Sequence, residues 1–183
     1  MRSHDWSKSP LGLAECWPQP LQTVVGLLLQ SRQAFHPESI DLAIELDGMR
    51  EMHEHSLRGD VRLEMKLGAE LWPVEIDAGE FELAMLNLYA NARDAMPDVG
   101  GIAIDARNVT ELADGLPTDF VQLCVADTGS GMPPSVLERV FEPFFTTKEG
   151  RQGIGVGLPQ VYGFAQQSGG RLQIDSRVQV GLP

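Results

Sequence analysis

The 183 residues are enough for one domain with a hydrophobic core and a short extra segment. A formal net charge of −12 argues against nucleic acid as a partner, because the phosphate backbone repels an acidic surface. The cysteines, Cys16 and Cys124, lie far apart and match neither a disulfide framework nor a zinc pattern.

From the N-terminus, no basic, apolar, cleavable leader is visible. The apolar run Val24 to Leu29 is far short of the roughly 20 residues that span a bilayer. The expectation is a cytoplasmic chain without a membrane segment, or the cytoplasmic part of a larger protein. Residues 1–35 read as an N-terminal extension. A Trp17-Pro18 entry leads into an amphipathic helix of about three turns, with Pro20 near its start, where proline is tolerated. A second helix is expected over 37–56, with Ile40, Ala43, Ile44, Met49 and Met52 facing the core. In VRLEMKLG, Val61, Leu63, Met65 and Leu67 alternate with polar residues, the period of a half-buried strand. WPVEID reads as a second, shorter strand.

Residues 80–95, EFELAMLNLYANARDA, read as a helix with two faces. Phe81, Met85, Leu88, Ala92 and Ala95 form an apolar stripe, and Glu80, Asn87, Asn91 and Asp94 share a narrow polar arc. Such an arc is either a solvated face or the wall of a nucleotide pocket. An Asn carbonyl can ligate a hard cation without adding charge beside phosphates. The helix should stop near Pro97. IAIDARNV, a polar loop over 110–118, and DFVQLCVAD follow as strand, loop and strand, with Cys124 a small buried apolar residue. A short helix, SVLERV, a helix over 158–168 and a late strand, RLQIDS, complete the pattern. Helices and strands mix without strict alternation. The fold class is therefore α+β, a two-layer α/β sandwich whose mixed sheet is covered on one face by helices, rather than a doubly wound sheet.

Four motifs then stand in series. They are NLYANARDAM, DTGSGM at a strand end, FEPFFTTK, and GIGVGL before a helix. Together they resemble the asparagine box, first glycine box, phenylalanine box and lid, and second glycine box of the catalytic, ATP-binding domain of bacterial sensor histidine kinases. That domain belongs to the wider ATPase family shared with gyrase, a heat-shock chaperone and mismatch-repair proteins. The resemblance covers roughly residues 36–178 and implies a Bergerat-type ATP-binding fold, with residues 36–183 as the catalytic domain.

The resemblance implies roles residue by residue. Asn91 would ligate Mg²⁺, and Asn87 would complete the polar wall near the phosphates. Asp94 would order water near the base or stay a surface carboxylate. Asp127 would accept a hydrogen bond from the adenine amino group, and Gly129 and Gly131 would let the backbone pass close to the purine. Phe141, with Phe144 and Phe145, would anchor a mobile lid of about 15–20 residues. Lys148 would be the lid cation for a phosphate oxygen, or a solvated lysine. Gly153, Gly155 and Gly157 would turn main-chain N–H groups to the triphosphate, ahead of a helix N-terminus. Met132, Thr147, Val156 and Leu158 belong to the same nucleotide site. Asn87, Asn91 and Lys148 would carry the chemistry.

The chain also departs from the family pattern. Ile154, Val156 and Pro159 stand where the family usually has Thr, Leu and often Ser. The lost hydroxyl predicts ATP binding weaker by about 1.5–3 kcal/mol. None of His4, His36, His53 and His55 carries the phosphoacceptor pattern, and the RVQVGLP ending shortens the family's last strand. The expected function is Mg-ATP-dependent transfer of the γ-phosphoryl group to a histidine supplied in trans, then to a response regulator. A nucleotide-binding interaction module without turnover is the alternative. A hydrolase is disfavoured, because Asn87 stands where such enzymes usually carry a glutamate base.

Overall fold

The structure, a computed structural model, describes residues 23–30, 39–56, 61–96, 99–113, 115–148 and 154–178. Its main sheet holds five strands: β1 (Thr23–Gln30), β3 (Val61–Leu67), β5 (Gly100–Ala113), β6 (Leu116–Asp127) and β7 (Arg171–Ser176). The order is β3-β5-β6-β1-β7, with β3 parallel to β5 and every other pair antiparallel. A two-residue strand β2 (Ser39–Ile40) pairs with β4 (Val74–Glu75) in a separate small sheet. The helices are α1 (Leu42–Ser56), α2 (Ala78–Ala95), the single-turn α3 (Pro134–Leu137) and α4 (Gly157–Gln167). Among the described residues, no helix is long and apolar enough to cross a membrane.

Side-chain alternation builds the core. Ile102, Ile104 and Ala106 of β5 register with Asp127, Val125 and Leu123 of β6, and Val125, Leu123 and Val121 register with Val25, Leu27 and Leu29 of β1, all on one face. That face packs against Leu42, Leu46 and Met49 of α1, Phe81, Met85 and Leu88 of α2, and Val161 and Phe164 of α4. The result is the expected two-layer α+β architecture with a mixed sheet. Asp77 starts α2 by accepting the Glu80 N–H at 2.9 Å, and the helix closes at Met96, one residue before proline.

Three expectations are corrected. Residues 23–30 are not an amphipathic helix but a strand paired on both edges, in the middle of the sheet assigned to residues 36–183. A boundary at residue 35 therefore does not separate β1 from the domain. A short run of six residues without a polar side chain, Val24 to Leu29, makes a strand buried on both sides, a pattern that periodicity alone does not tell from a helix. The second helix begins only at Leu42, because the Asp41 carboxylate caps it through the Ala43 N–H at 2.9 Å. Its core face is thus Leu42, Leu46 and Met49, and Ile44 is 69% exposed. Finally, the polar loop over 110–118 is mostly strand: β5 and β6 extend into a tight hairpin turned at Gly115, whose φ is +81°. The rest of the extension, the N-terminal cysteine, Gly153 and residues 179–183 lie outside the described residues, as do the side chains of His53 and His55.

Candidate functional site

A cavity of about 520 Å³ opens between the sheet and the paired helices α2 and α4. Of the polar arc of α2, Asn87, Asn91 and Asp94 line the wall, whereas Glu80 is exposed outside it. The end of β6 contributes Asp127, the segment after it Gly131 and Met132, and the segment after α3 Thr147 and Lys148. Gly155, Val156, Gly157 and Leu158 enter with the start of α4. Residues from four separate motifs thus meet in one hollow.

Phe144, expected among the lid anchors, is 75% exposed and stands outside the lining, as do Phe141 and Gly129. Phe141 stacks on Tyr162 of α4, with ring centroids 5.0 Å apart. Gly129 sits under the end of α2, where a Cβ would lie 2.6 Å from the Ala95 Cβ. Both therefore brace the wall. Gly131 has a similar explanation. Its φ is +72°, and a side chain there would collide with the Arg177 carbonyl. Gly155, at φ +70°, packs on the backbone of Phe144 and Phe145, and its carbonyl accepts the Phe144 N–H at 2.8 Å. Close backbone approach within the protein accounts for these glycines.

The electrostatics are uneven. Asp127 is 8% exposed, and burial pushes its carboxyl up to about 6, against the opposing hydrogen bond from the Gly129 N–H at 2.8 Å. Burial also pushes the Asp94 carboxyl upward. The ammonium of Lys148, 2.6 Å from Oδ2, and the Arg93 guanidinium outweigh that and hold it below the usual range. Lys148 is thus tied to α2 across the mouth of the cavity. Cys124, free and buried, has its thiol pushed up to about 12 by burial and by nearby Asp105, which marks an inert core residue.

Two polar features stand where α2 meets the start of α4. Among the described residues, Asn91 Nδ2 is a buried side-chain atom without a hydrogen-bond partner. The first N–H groups of α4 have no side-chain cap, since Val156 precedes the helix. The described residues hold no cluster of three or more His, Cys, Asp or Glu suited to caging a metal. The two carboxamides in the cavity wall would suit magnesium, which takes few protein oxygens and fills its shell with water and phosphate.

Thr23 and Val25 of β1, to which no sequence motif points, also stand in the lining. Thr23 registers directly with Asp127 on one side and Ser176 on the other. Its Oγ1 is 2.9 Å from Ser176 Oγ, which also accepts the Met132 N–H at 2.8 Å. Only the alternation of a strand would have placed Thr23 there.

Residues 76–183, more than half of the chain, match the family described as histidine kinase-, DNA gyrase B- and HSP90-like ATPases. The chain belongs to this ATPase family. Within it, the relatives are sensor kinases, and the chain is a histidine-kinase ATP-binding domain. It is 44% identical over 163 residues to the sensor kinase CckA of Brucella abortus, covering 85% of this chain and 17% of that protein. It is 29% identical over 164 residues to the sensor histidine kinase ZraS of Salmonella typhimurium, covering 85% of this chain and 32% of that one. The ATP-binding domain thus spans a third or less of the length of these two relatives. A mycobacterial sensor histidine kinase, MprB, superposes with a TM-score of 0.59 at 26% identity, covering 72% of this chain and 80% of that chain. The catalytic domain of histidine kinase ThkA shares the fold, with a TM-score of 0.58 at 23% identity, covering 74% and 91%.

Proposed function

We propose that this domain binds Mg-ATP in the cavity between α2 and α4 and presents the γ-phosphoryl group to a histidine on another domain or chain. A response regulator would be the next acceptor. The single observation that carries this reading is the convergence of Asn87, Asn91, Asp127 and the uncapped start of α4 on one hollow. In its ionised form, the buried Asp127 carboxylate accepts from the adenine amino group and would repel the guanine oxygen at the same ring position. The α4 N–H groups receive phosphate oxygens in the helix's positive field. Asn87 and Asn91 are the oxygen sources for the metal, which supplies charge neutralisation at the phosphates when bound. Lys148 would have to leave Asp94 to reach a phosphate. The protein's contribution is then positioning and charge stabilisation rather than covalent chemistry.

Calorimetric titration with a non-hydrolysable ATP analogue, with and without Mg²⁺, tests the site. Tight binding that needs the metal is expected, and undetectable binding would sink the proposal. Incubated alone with labelled ATP, the chain should form no acid-labile phosphate. A label on His53 or His55 would show that the acceptor is internal.

The pairing of Lys148 with Asp94 favours one second reading, a domain that holds nucleotide without turnover and regulates a partner kinase or regulator. Saturable nucleotide binding with no transfer to any added phosphoacceptor domain would select it.

A further inference from the structure

The two ends of a side-chain carboxamide are chemically opposite: the oxygen accepts, the nitrogen only donates. A site that uses Asn for a cation must therefore fix which end faces inward. Asn87 carries such a fixing contact. Its Nδ2 donates to Gln160 Oε1 at 3.1 Å, across the α2–α4 interface. Its Oδ1 lies at the start of α4, 3.2 Å from where a Cβ on Gly157 would sit. Asn87 and Gly157 line the cavity, whereas Gln160 stands one turn along α4, outside the lining and exposed to solvent.

We infer that Gln160 is a positioning residue that locks the Asn87 carboxamide with its oxygen toward the phosphate end of the cavity. The inference rests on the Mg-ATP reading above and deepens it. An inward amide nitrogen would meet phosphate oxygens as a donor and would oppose a cation. An inward oxygen does the reverse and suits a hydrated divalent cation. With Gln160 Oε1 taking the Nδ2 hydrogen bond, Oδ1 is the end of the Asn87 carboxamide left at the start of α4. Asn91 illustrates the contrast: its Nδ2 is buried, has no partner and lies 3.5 Å from the same Gly157 Cβ position. The two carboxamides thus flank the start of α4 differently, one with its nitrogen held by a neighbour and one with its buried nitrogen unpaired. Because Gln160 is exposed, changing it removes little packing.

The test exploits the direction of the hydrogen bond. Gln160→Met keeps the length but cannot accept, Gln160→Glu keeps the acceptor, and Gln160→Lys offers only a donor. Nucleotide-analogue affinity is measured for each variant with and without Mg²⁺. The Asn87 side-chain amide is followed by ¹⁵N NMR without nucleotide. Met and Lys should lose about three- to tenfold of the Mg²⁺-dependent gain in affinity, the worth of one hydrogen bond. Metal-free affinity should hardly change, and the Asn87 amide signal should shift. Glu should behave as wild type. This order is opposite to what bulk charge predicts, since a lysine would attract the nucleotide and a glutamate repel it. An unchanged Mg²⁺ gain and an unmoved Asn87 signal in the Met and Lys variants would overturn the inference. Failure of the wild-type chain to bind nucleotide at all would instead overturn the Mg-ATP reading.

Discussion

Asp127 is a costly residue for a core. A carboxylate that is 8% exposed, with a backbone N–H as its neighbour, is worth its desolvation only if something uses it. Its folded pKa, pushed up to about 6, lies above the usual carboxylate value. Folding therefore favours the protonated form. The stability this group contributes is complete below pH 4 and is lost as pH rises to about 6. Asp127→Asn should accordingly stabilise the domain at neutral pH. Nucleotide recognition runs the other way, since the ionised carboxylate is the adenine acceptor. Between pH 7.5 and 5.5, wild-type affinity for an ATP analogue should fall more steeply than that of Asp127→Asn, which starts weaker. The variant also carries the ATP phosphate's own titration, so the difference between the two curves reports Asp127. Parallel curves would remove Asp127 from the adenine site. Gly157 offers a separate check. A methyl there would sit 3.2 Å from Asn87 Oδ1 and 3.5 Å from Asn91 Nδ2. Gly157→Ala should leave the melting temperature equal or raised, because alanine is the better helix former. It should shrink the further rise that Mg-ATP analogue produces, measured by thermal shift.

At the scale of elements, legibility followed how each segment is buried. α2 was readable except for its first two residues, because one face is apolar, the other polar, and Pro97 marks its end; the Asp77 cap, read as the end of a strand, starts it at Ala78. β3 and β7 were readable from alternation. β1 was not, because a strand paired on both edges and covered on both faces has no polar alternate to betray its period. α1 was displaced by its cap: Asp41 starts the helix later than hydrophobicity alone places it. Gly131 and Gly155 line the cavity, and their positive φ and close approach to protein backbone account for glycine there without a ligand. β1 therefore makes a sharp prediction. Leu27 is fully buried between β6 and β7. Leu27→Ala should cost about 2–5 kcal/mol of unfolding free energy, read from the denaturant midpoint. A helix docked on the surface would lose much less.

At the scale of the molecule, β1 joins distant parts of the chain. Thr23 and Ser176, 153 positions apart, touch through their hydroxyls, and Thr23 faces Asp127 across the next strand. The floor of the cavity thus combines the first described strand with the last, although the motifs legible in sequence all lie between them. Closing that loop is entropically expensive, so β1 should lock in only when β6 and β7 are already formed. Thr23 and Val25 then line the pocket, and a nucleotide that binds only the closed sheet must stabilise β1 along with α2 and α4. Ligand held at about 100 times its dissociation constant contributes about 2.7 kcal/mol, which slows exchange through global opening by about 100-fold. Amide hydrogen exchange should therefore show the amides of Val25, Leu27 and Leu29 slowing with nucleotide as much as those in the middle of α2. If β1 instead exchanges at a rate indifferent to nucleotide while α2 is protected, the first strand is not part of the cooperative unit that binds.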